Sequence, residues 1–292
     1  MEKLERGLSG TIVELVPPNR IRKTARVVGD RRLEQQYAKQ GFFHSWMKDC
    51  PVDGICIPKP FSLFMGHDVP MVMEMEYING KSFDEHLAFS SVVEIQRLCQ
   101  ILSNYIDHLV EHQSRYEEKE VRGRIRNKLR LLQPNSRHPE LIEKLMDTVT
   151  HTKLDVPKSW CHGDLTLSNM LFYQDSIYLI DFLDSFVESF LVDLVKLKQD
   201  LYYYWSIELA EVTPEYRMRA IQVFDYMWKQ LRNRYAEHID TDAFHILDLV
   251  NLLRIEPYAP ERMVPFLDAQ IQRTKLYGEY YRSDGRPIDA VS

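Results

Sequence analysis

Apolar and polar positions change period along the chain, and each change marks out an element. Thr11-Ile12-Val13-Glu14-Leu15-Val16 is a β-branched run that predicts a strand, and Pro17-Pro18-Asn19 predicts a turn after it. From Ile21 to Val28 the residues alternate: Ile21, Lys23, Ala25 and Val27 share one face, while Arg20, Arg22, Thr24 and Arg26 share the other. Gly29-Asp30 ends that strand, and Arg31 to Gln40, with Leu33 and Tyr37 at helical spacing, predicts a helix. Ile55-Cys56-Ile57-Pro58 and Met71-Val72-Met73-Glu74-Met75 predict further strands, the second running into Glu76-Tyr77-Ile78-Asn79-Gly80.

Beyond Ser82 the period becomes helical. Val92 to His112 carries apolar residues at Val92, Ile95, Leu98, Leu102, Ile106, Leu109 and Val110, one face of an amphipathic helix. Glu117 to Arg130 is densely charged, with a narrow stripe of Ile125, Leu129 and Leu132, so a solvated helix is expected. Leu141 to Val149 predicts one more helix. Leu171-Phe172-Tyr173 and Ile177-Tyr178-Leu179 then flank the polar triplet Gln174-Asp175-Ser176, which predicts a hairpin. With all three residues in the loop, Tyr173 faces Ile177, Leu171 faces Leu179, and Asn169 stands opposite Asp181. Phe190 to Tyr204, Ile221 to Leu231 and Phe244 to Leu253 predict helices, although Tyr202-Tyr203-Tyr204-Trp205 cannot all face one way on a helix.

Composition narrows the class. The 292 residues suffice for one bilobal enzyme or two small domains, and 45% hydrophobic with 27% charged residues is ordinary for a soluble globular chain. The 37 Lys and Arg against 43 Asp and Glu give a net charge of −6, which offers no footprint for nucleic acid. No apolar stretch approaches the roughly 18–20 residues of a spanning helix, and the charged start lacks the pattern of a secretory signal, so a cytoplasmic protein without membrane contact is expected. Cys50, Cys56, Cys99 and Cys161 show no C-x-x-C pairing and are read as reduced thiols.

The candidate chemistry gathers around the hairpin. Directly opposed residues lie about 4.5–5.5 Å apart at Cβ, so the Asn169 amide oxygen and the Asp181 carboxylate could share a cation. Asp164, five residues before Asn169 on a segment without regular period, could bend a carboxylate toward whatever that cation holds. Oxygen-only ligands select a hard cation such as Mg²⁺, which is usually completed by phosphates, so phosphoryl transfer is suggested. Lys23, the one basic residue on an apolar face, requires a compensating anion or an exit to solvent. Gly7-Leu8-Ser9-Gly10 ahead of the first strand could expose backbone N–H groups to phosphate, or could be an ordinary hairpin end. His108 and His112 lack a third ligand at suitable spacing and are read as surface residues.

His162-Gly163-Asp164-Leu165-Thr166-Leu167-Ser168-Asn169, followed by Ile180-Asp181-Phe182, resembles the catalytic loop and metal-binding strand of kinase-like small-molecule phosphotransferases, the group that includes aminoglycoside phosphotransferases and choline kinases. The resemblance implies a bilobal protein-kinase-like α+β fold, with a small β-rich lobe over residues 1–76 that binds nucleotide and a larger helical lobe over 77–292 for catalysis and the acceptor. It implies Asp164 as catalytic base or hydroxyl positioner and Asn169 and Asp181 as Mg²⁺ ligands. It likewise implies Lys23 as a phosphate contact, Glu34 as its helix partner, Gly7, Ser9 and Gly10 over the triphosphate, and backbone groups of Glu76 and Ile78 at the adenine, with Met75 behind the base. In such a loop His162 has a structural part, and Asp193 is the expected helix brace. The expected reaction is transfer from ATP, or GTP, to a hydroxyl of a sugar, amino alcohol or aminoglycoside-like acceptor, with the oligomeric state unspecified. Leu183 stands where protein kinases have the glycine of D-F-G, a departure common in the small-molecule branch. Only about ten residues separate Asp181 from the next helix, too few for a peptide-binding platform, so a protein kinase is the disfavoured rival. A nucleotide-binding pseudokinase scaffold is the other, opposed by the joint presence of Lys23, Asp164, Asn169 and Asp181.

Overall fold

A computed structural model describes residues 2–3, 11–66, 68–210 and 212–280, with side chains described from residue 11 to residue 273. The chain divides into two compact units, residues 1–111 with 162–185, and residues 112–161 with 186–292. Residues 162–185, with the hairpin they contain, therefore fold with the N-terminal strands.

In the first unit, strands β1 (Glu2–Lys3), β2 (Thr11–Val16), β3 (Arg20–Ala25), β5 (Pro60–Phe64) and β6 (Val72–Glu76) form a sheet in the order β1-β2-β3-β6-β5, with β4 being Ile55–Cys56 of a second sheet. Every pairing in the first sheet is antiparallel, and Lys23 lies between Val13 of β2 and Met73 of β6. Alternation holds along β3: Ile21, Lys23 and Ala25 are buried. The strand stops at Ala25, so Val27, expected on the same face, lies beyond it and is exposed. Ile21, Ala25, Met73 and Met75 pack on Leu33 of helix α1 (Arg32–Asp49). Burying each large side chain there contributes about 1.5–3 kcal/mol, which fixes β3 and α1 against one another. On the opposite face Arg20 and Arg22 pair with Glu74 at 3.2 and 2.7 Å, a partly exposed contact that contributes little beyond registry.

Helix α1 runs to Asp49, nine residues past the expected end at Gln40. Its buried face, Leu33, Gln36, Lys39, Gln40, Phe43 and Met47, is half polar, and that is why hydrophobic periodicity fades before the helix does.

The second sheet of this unit joins β4, β7 (Lys81–Ser82) and the two hairpin strands, Met170–Tyr173 and Ser176–Leu179. The hairpin register is Met170 to Leu179, Leu171 to Tyr178, Phe172 to Ile177 and Tyr173 to Ser176. The expected three-residue loop is thus a two-residue turn, and every pairing shifts by one. Gln174 and Asp175 both take positive φ, 47° and 62°, the pattern of a type I′ turn whose twist matches that of the strands. Ser176 is released into the ladder in consequence. A helix over Val92–Glu111 buries Ile95, Leu98, Leu102, Ile106 and Leu109 of the expected face, while Val92 at its start is exposed and Val110 is half-buried.

The second unit is helical. Glu118–Leu132 presents the expected narrow buried stripe, here Val121, Ile125 and Leu129, while Glu118–Arg122 and Glu120–Arg124 pair across one turn on its solvated side. Helices Phe190–Leu201, Pro214–Arg234 and Asp242–Ile255 begin at Ser189, Thr213 and Thr241, whose hydroxyls accept from backbone N–H groups of the first turn. The helix expected to reach Tyr204 stops at Leu201. Tyr204 adopts a left-handed conformation with φ 57°, and a new helix starts at Trp205. The break resolves the aromatic run: Tyr203 and Trp205 are buried and Tyr202 is exposed.

Candidate active site

The site grows out of the loop that precedes the hairpin. His162 is fully buried, and its Nε2 donates to the Ile180 carbonyl at 2.8 Å while its Nδ1 accepts from the Asp164 N–H at 3.3 Å. Both ring nitrogens are thereby committed in a neutral imidazole. Burial pushes the His162 pKa down to about 4, with the Asp164 charge offsetting part of the effect. Such a ring holds a loop and does not relay protons at neutral pH. Phe182 packs on it, ring centroids 4.2 Å apart, and Phe43 of α1 lies 4.8 Å beyond. Gly163, at φ 86°, is required by close approach: a Cβ there would lie 2.0 Å from the Leu183 carbonyl oxygen.

Asp164 and Asn169 are joined directly. The Asn169 amide donates to the Asp164 backbone carbonyl at 2.8 Å and to its carboxylate Oδ2 at 3.1 Å. Since the amide nitrogen is spent on Asp164, the Asn169 side-chain oxygen is the atom left to face a cation. The shifted register places Asn169 beside Ile180, whose N–H donates to the Asn169 carbonyl at 3.0 Å, and Asp181 follows one residue later. Asp164, Asn169 and Asp181 are each half-buried, so each is reachable from solvent. Asp181 holds φ 62°, a left-handed conformation that costs a non-glycine residue roughly 1–3 kcal/mol and is kept only where the surroundings impose it.

Lys23 crosses from β3 and forms a close ion pair with Asp181 Oδ1, the same oxygen that accepts from Gln36 Nε2 at 3.0 Å. Burial by itself would raise the Asp181 pKa, but the Lys23 ammonium and the Gln36 amide outweigh it and hold the carboxyl below its usual range. Glu34, expected to partner Lys23, is turned away. It pairs with Arg31 at 2.6 and 2.8 Å near the helix start, so the carboxylate that meets Lys23 is that of Asp181. Lys39, one turn along α1 and buried, donates to the Leu183 carbonyl at 2.7 Å.

At the end of β6 the Glu76 N–H donates to the Lys59 carbonyl at 2.9 Å, and the Glu76 carboxylate accepts from the Lys59 N–H at 3.1 Å. Tyr77 N–H donates to Asn19, and Ile78 is buried. The Glu76 amide is therefore engaged within the sheet. Gly7, Ser9 and Gly10 lie outside the described residues. The loop, Lys23 and Asp181 thus come together, Glu34 does not join them, and Gln36 and Lys39 enter unannounced. Their only trace in the sequence is the polar run that interrupts the apolar face of α1 between Leu33 and Phe43.

The side chains that converge present carboxylate and amide oxygens with one ammonium opposite, a donor set suited to a hard divalent cation and its phosphates. A separate cavity of 460 Å³ in the second unit is lined by residues of both charges, among them Arg115, Lys153, Asp155 and Asp242, and by none of the predicted site residues.

A sequence model of the phosphotransferase enzyme family matches residues 4–240. No curated protein matches the chain by sequence. Solved structures match it in fold. A thermostable mutant of an aminoglycoside phosphotransferase, in ternary complex with ADP and hygromycin B, is 9% identical over 95% of this chain and 93% of its own, with a TM-score of 0.60. A GDP complex of an aminoglycoside phosphotransferase mutant is 14% identical over 95% and 92%, TM-score 0.55. A glucosamine kinase in complex with glucosamine, ADP and inorganic phosphate is 12% identical over 94% and 81%, TM-score 0.50. Among the described residues, no helix is long and apolar enough to cross a membrane.

Proposed function

The chain belongs to the phosphotransferase enzyme family, and from that premise we propose that it transfers the γ-phosphoryl group of ATP to a hydroxyl of a small molecule in a Mg²⁺-dependent reaction. The observation that carries this reading is a pair of contacts at the two ends of one hairpin, Asn169 bonded to Asp164 and Asp181 paired with Lys23, with the Ile180 N–H donating to the Asn169 carbonyl between them.

In this reading Asp164 accepts, or holds in line, the proton of the attacking hydroxyl. Asn169, through its amide oxygen, and Asp181 hold the cation, which when bound would offset charge on the transferring phosphoryl oxygens. Lys23 exchanges the Asp181 carboxylate for the nucleotide phosphates, so the inward ammonium remains compensated before and after binding. His162 stays neutral and fixes the loop. Residues 1–76, including Gly7, Ser9 and Gly10, serve the nucleotide together with the backbone of Glu76 and Ile78 at the lobe junction, and the rest of residues 77–292 serves catalysis and the acceptor.

The acceptor class follows from two supports. Helix Phe190–Leu201 begins soon after Asp181, which leaves little chain for a peptide platform, and fold neighbours were solved with hygromycin B and with glucosamine. A sugar, aminoglycoside-like molecule or amino alcohol is therefore the proposed acceptor, with GTP as the alternative donor, since one neighbour carries GDP. A cytoplasmic setting suits a nucleotide-dependent reaction and the four free thiols. The test is Mg²⁺-dependent ATP consumption across a panel of hydroxylated metabolites. Turnover by the wild type and its loss in Asp164→Asn is expected, and equal turnover by the variant overturns the assignment.

A further inference from the structure

We infer that Gln36 and Lys39 of α1 are positioning residues that aim one oxygen of Asp181 at the metal, an inference that rests on the metal-binding role proposed above for Asp181. Gln36 Nε2 and Lys23 Nζ converge on Oδ1 of that carboxylate, and among the described residues no side chain donates to Oδ2. Both donors hold the carboxylate before nucleotide binds, and Gln36 keeps Oδ1 once Lys23 turns to the phosphates, which leaves the second oxygen as the one a cation can take. A neutral amide is the chemistry this demands. A glutamate at position 36 would repel Asp181 and compete with it for Lys23, whereas glutamine orients without adding charge.

Lys39 acts on the backbone that carries the same residue. Asp181 sits in a left-handed conformation between two anchored neighbours: the Ile180 carbonyl on His162, and Leu183, whose N–H donates to the His162 carbonyl at 3.0 Å. The Leu183 carbonyl is then taken by the Lys39 ammonium at 2.7 Å. Gln36 and Lys39 are three residues apart on the buried face of one helix, so α1 grips both the carboxylate and the backbone two residues after it. Orientation of a metal ligand by the groups bonded to it typically alters metal affinity by about 10–100-fold.

The experiment is a Mg²⁺ titration of fluorescent ATP-analogue binding by the full chain, without acceptor and without turnover, alongside thermal melting. Gln36→Leu and Lys39→Met are expected to raise the Mg²⁺ constant about tenfold or more, with metal-free analogue binding and melting temperature close to wild type. Gln36→Glu, which retains shape, is expected to be worse than Gln36→Leu, and Lys39→Arg to recover most of the affinity. Wild-type Mg²⁺ constants in Gln36→Leu and Lys39→Met overturn the inference, as does a loss of metal affinity that merely tracks a loss of melting temperature and is not restored by Lys39→Arg. Asp181→Asn is the control: if it abolishes the Mg²⁺ dependence while the α1 variants do not disturb it, only this inference fails, and if it too leaves the dependence intact, the metal-binding reading fails with it.

Discussion

Each unit of the molecule holds a lysine–aspartate ion pair, and the two are built in opposite ways. In the first unit Lys23 comes from the middle of a strand and meets Asp181, a left-handed residue just beyond a hairpin, whose side chain keeps 32% of its exposure. A second donor, Gln36, shares the same carboxylate oxygen. In the second unit Lys198 and Asp248 come from the regular helices Phe190–Leu201 and Asp242–Ile255 and meet at 2.6 Å, with Asp248 fully buried. Tyr203 donates to the same Asp248 oxygen at 2.7 Å, and the rings of Tyr202, Tyr203 and Phe244 lie 5.2–5.6 Å from the lysine nitrogen. The first pair stores strain and stays open to solvent, as a site must if a ligand is to replace one partner. The second is largely closed to solvent, stands on regular helices and is wrapped by aromatic faces, as suits a pair that ties helices together.

The contrast breaks most sharply under substitution. Asp181→Asn is expected to lower turnover by about 10³-fold, the scale of losing a preorganised electrostatic contact in a transition state. It should also lower stability, since the buried Lys23 ammonium loses its carboxylate. Nucleotide, whose phosphates compensate Lys23, should return the melting temperature toward wild type, and steady-state kinetics and calorimetry check the two halves. Asp248→Ala should lower stability alone. It leaves the largely buried Lys198 ammonium without its carboxylate, and a loss on the order of 3–5 kcal/mol in urea unfolding is expected, with near-normal turnover in whatever fraction stays folded.

His162 sharpens the comparison through pH. Its folded pKa, about 4, lies below the ordinary histidine value of 6.5, so protonation favours the unfolded chain. The contribution is intact above about pH 6.5 and is lost as pH falls toward 4, by on the order of 3 kcal/mol across that window, and it levels off below. Equilibrium unfolding of wild type and His162→Gln between these pH values checks the sign, since the variant should have the flatter profile. The smallest effect is expected at a helix start in the second unit. Thr241→Ala removes the hydroxyl that accepts from Phe244 N–H at 3.2 Å and should cost about 1 kcal/mol of unfolding free energy, with no change in kinetics.

What could be read from the chain differed along the same line. The groups from His162 to Asp181 lie within one short stretch, so their spacing and the hairpin that folds them together were legible without coordinates. The register was not, because Gln174 and Asp175 both enter left-handed space without a glycine to announce it. Lys23 was legible as a charge on an apolar face, and the sheet buries it there. Glu34, which the resemblance implies as its partner, is held by Arg31 three residues away, because helix phase, which the spacing does not set, turns it from Lys23. Gln36 and Lys39 were hard to read: polar residues on a buried helix face erase the very periodicity by which such a face is found. The break at Tyr204 was hidden in the same way, since a tyrosine with φ 57° has no sequence signature.

The most direct measurement follows the phosphoryl group itself. Phosphorus NMR of ATP, Mg²⁺ and a hydroxylated acceptor should show a phosphomonoester of the acceptor appearing with wild-type protein, disappearing when the metal is chelated, and absent with Asp164→Asn. An ester formed at the same rate by Asp164→Asn, or label that passes to the protein and never to the acceptor, would contradict the account.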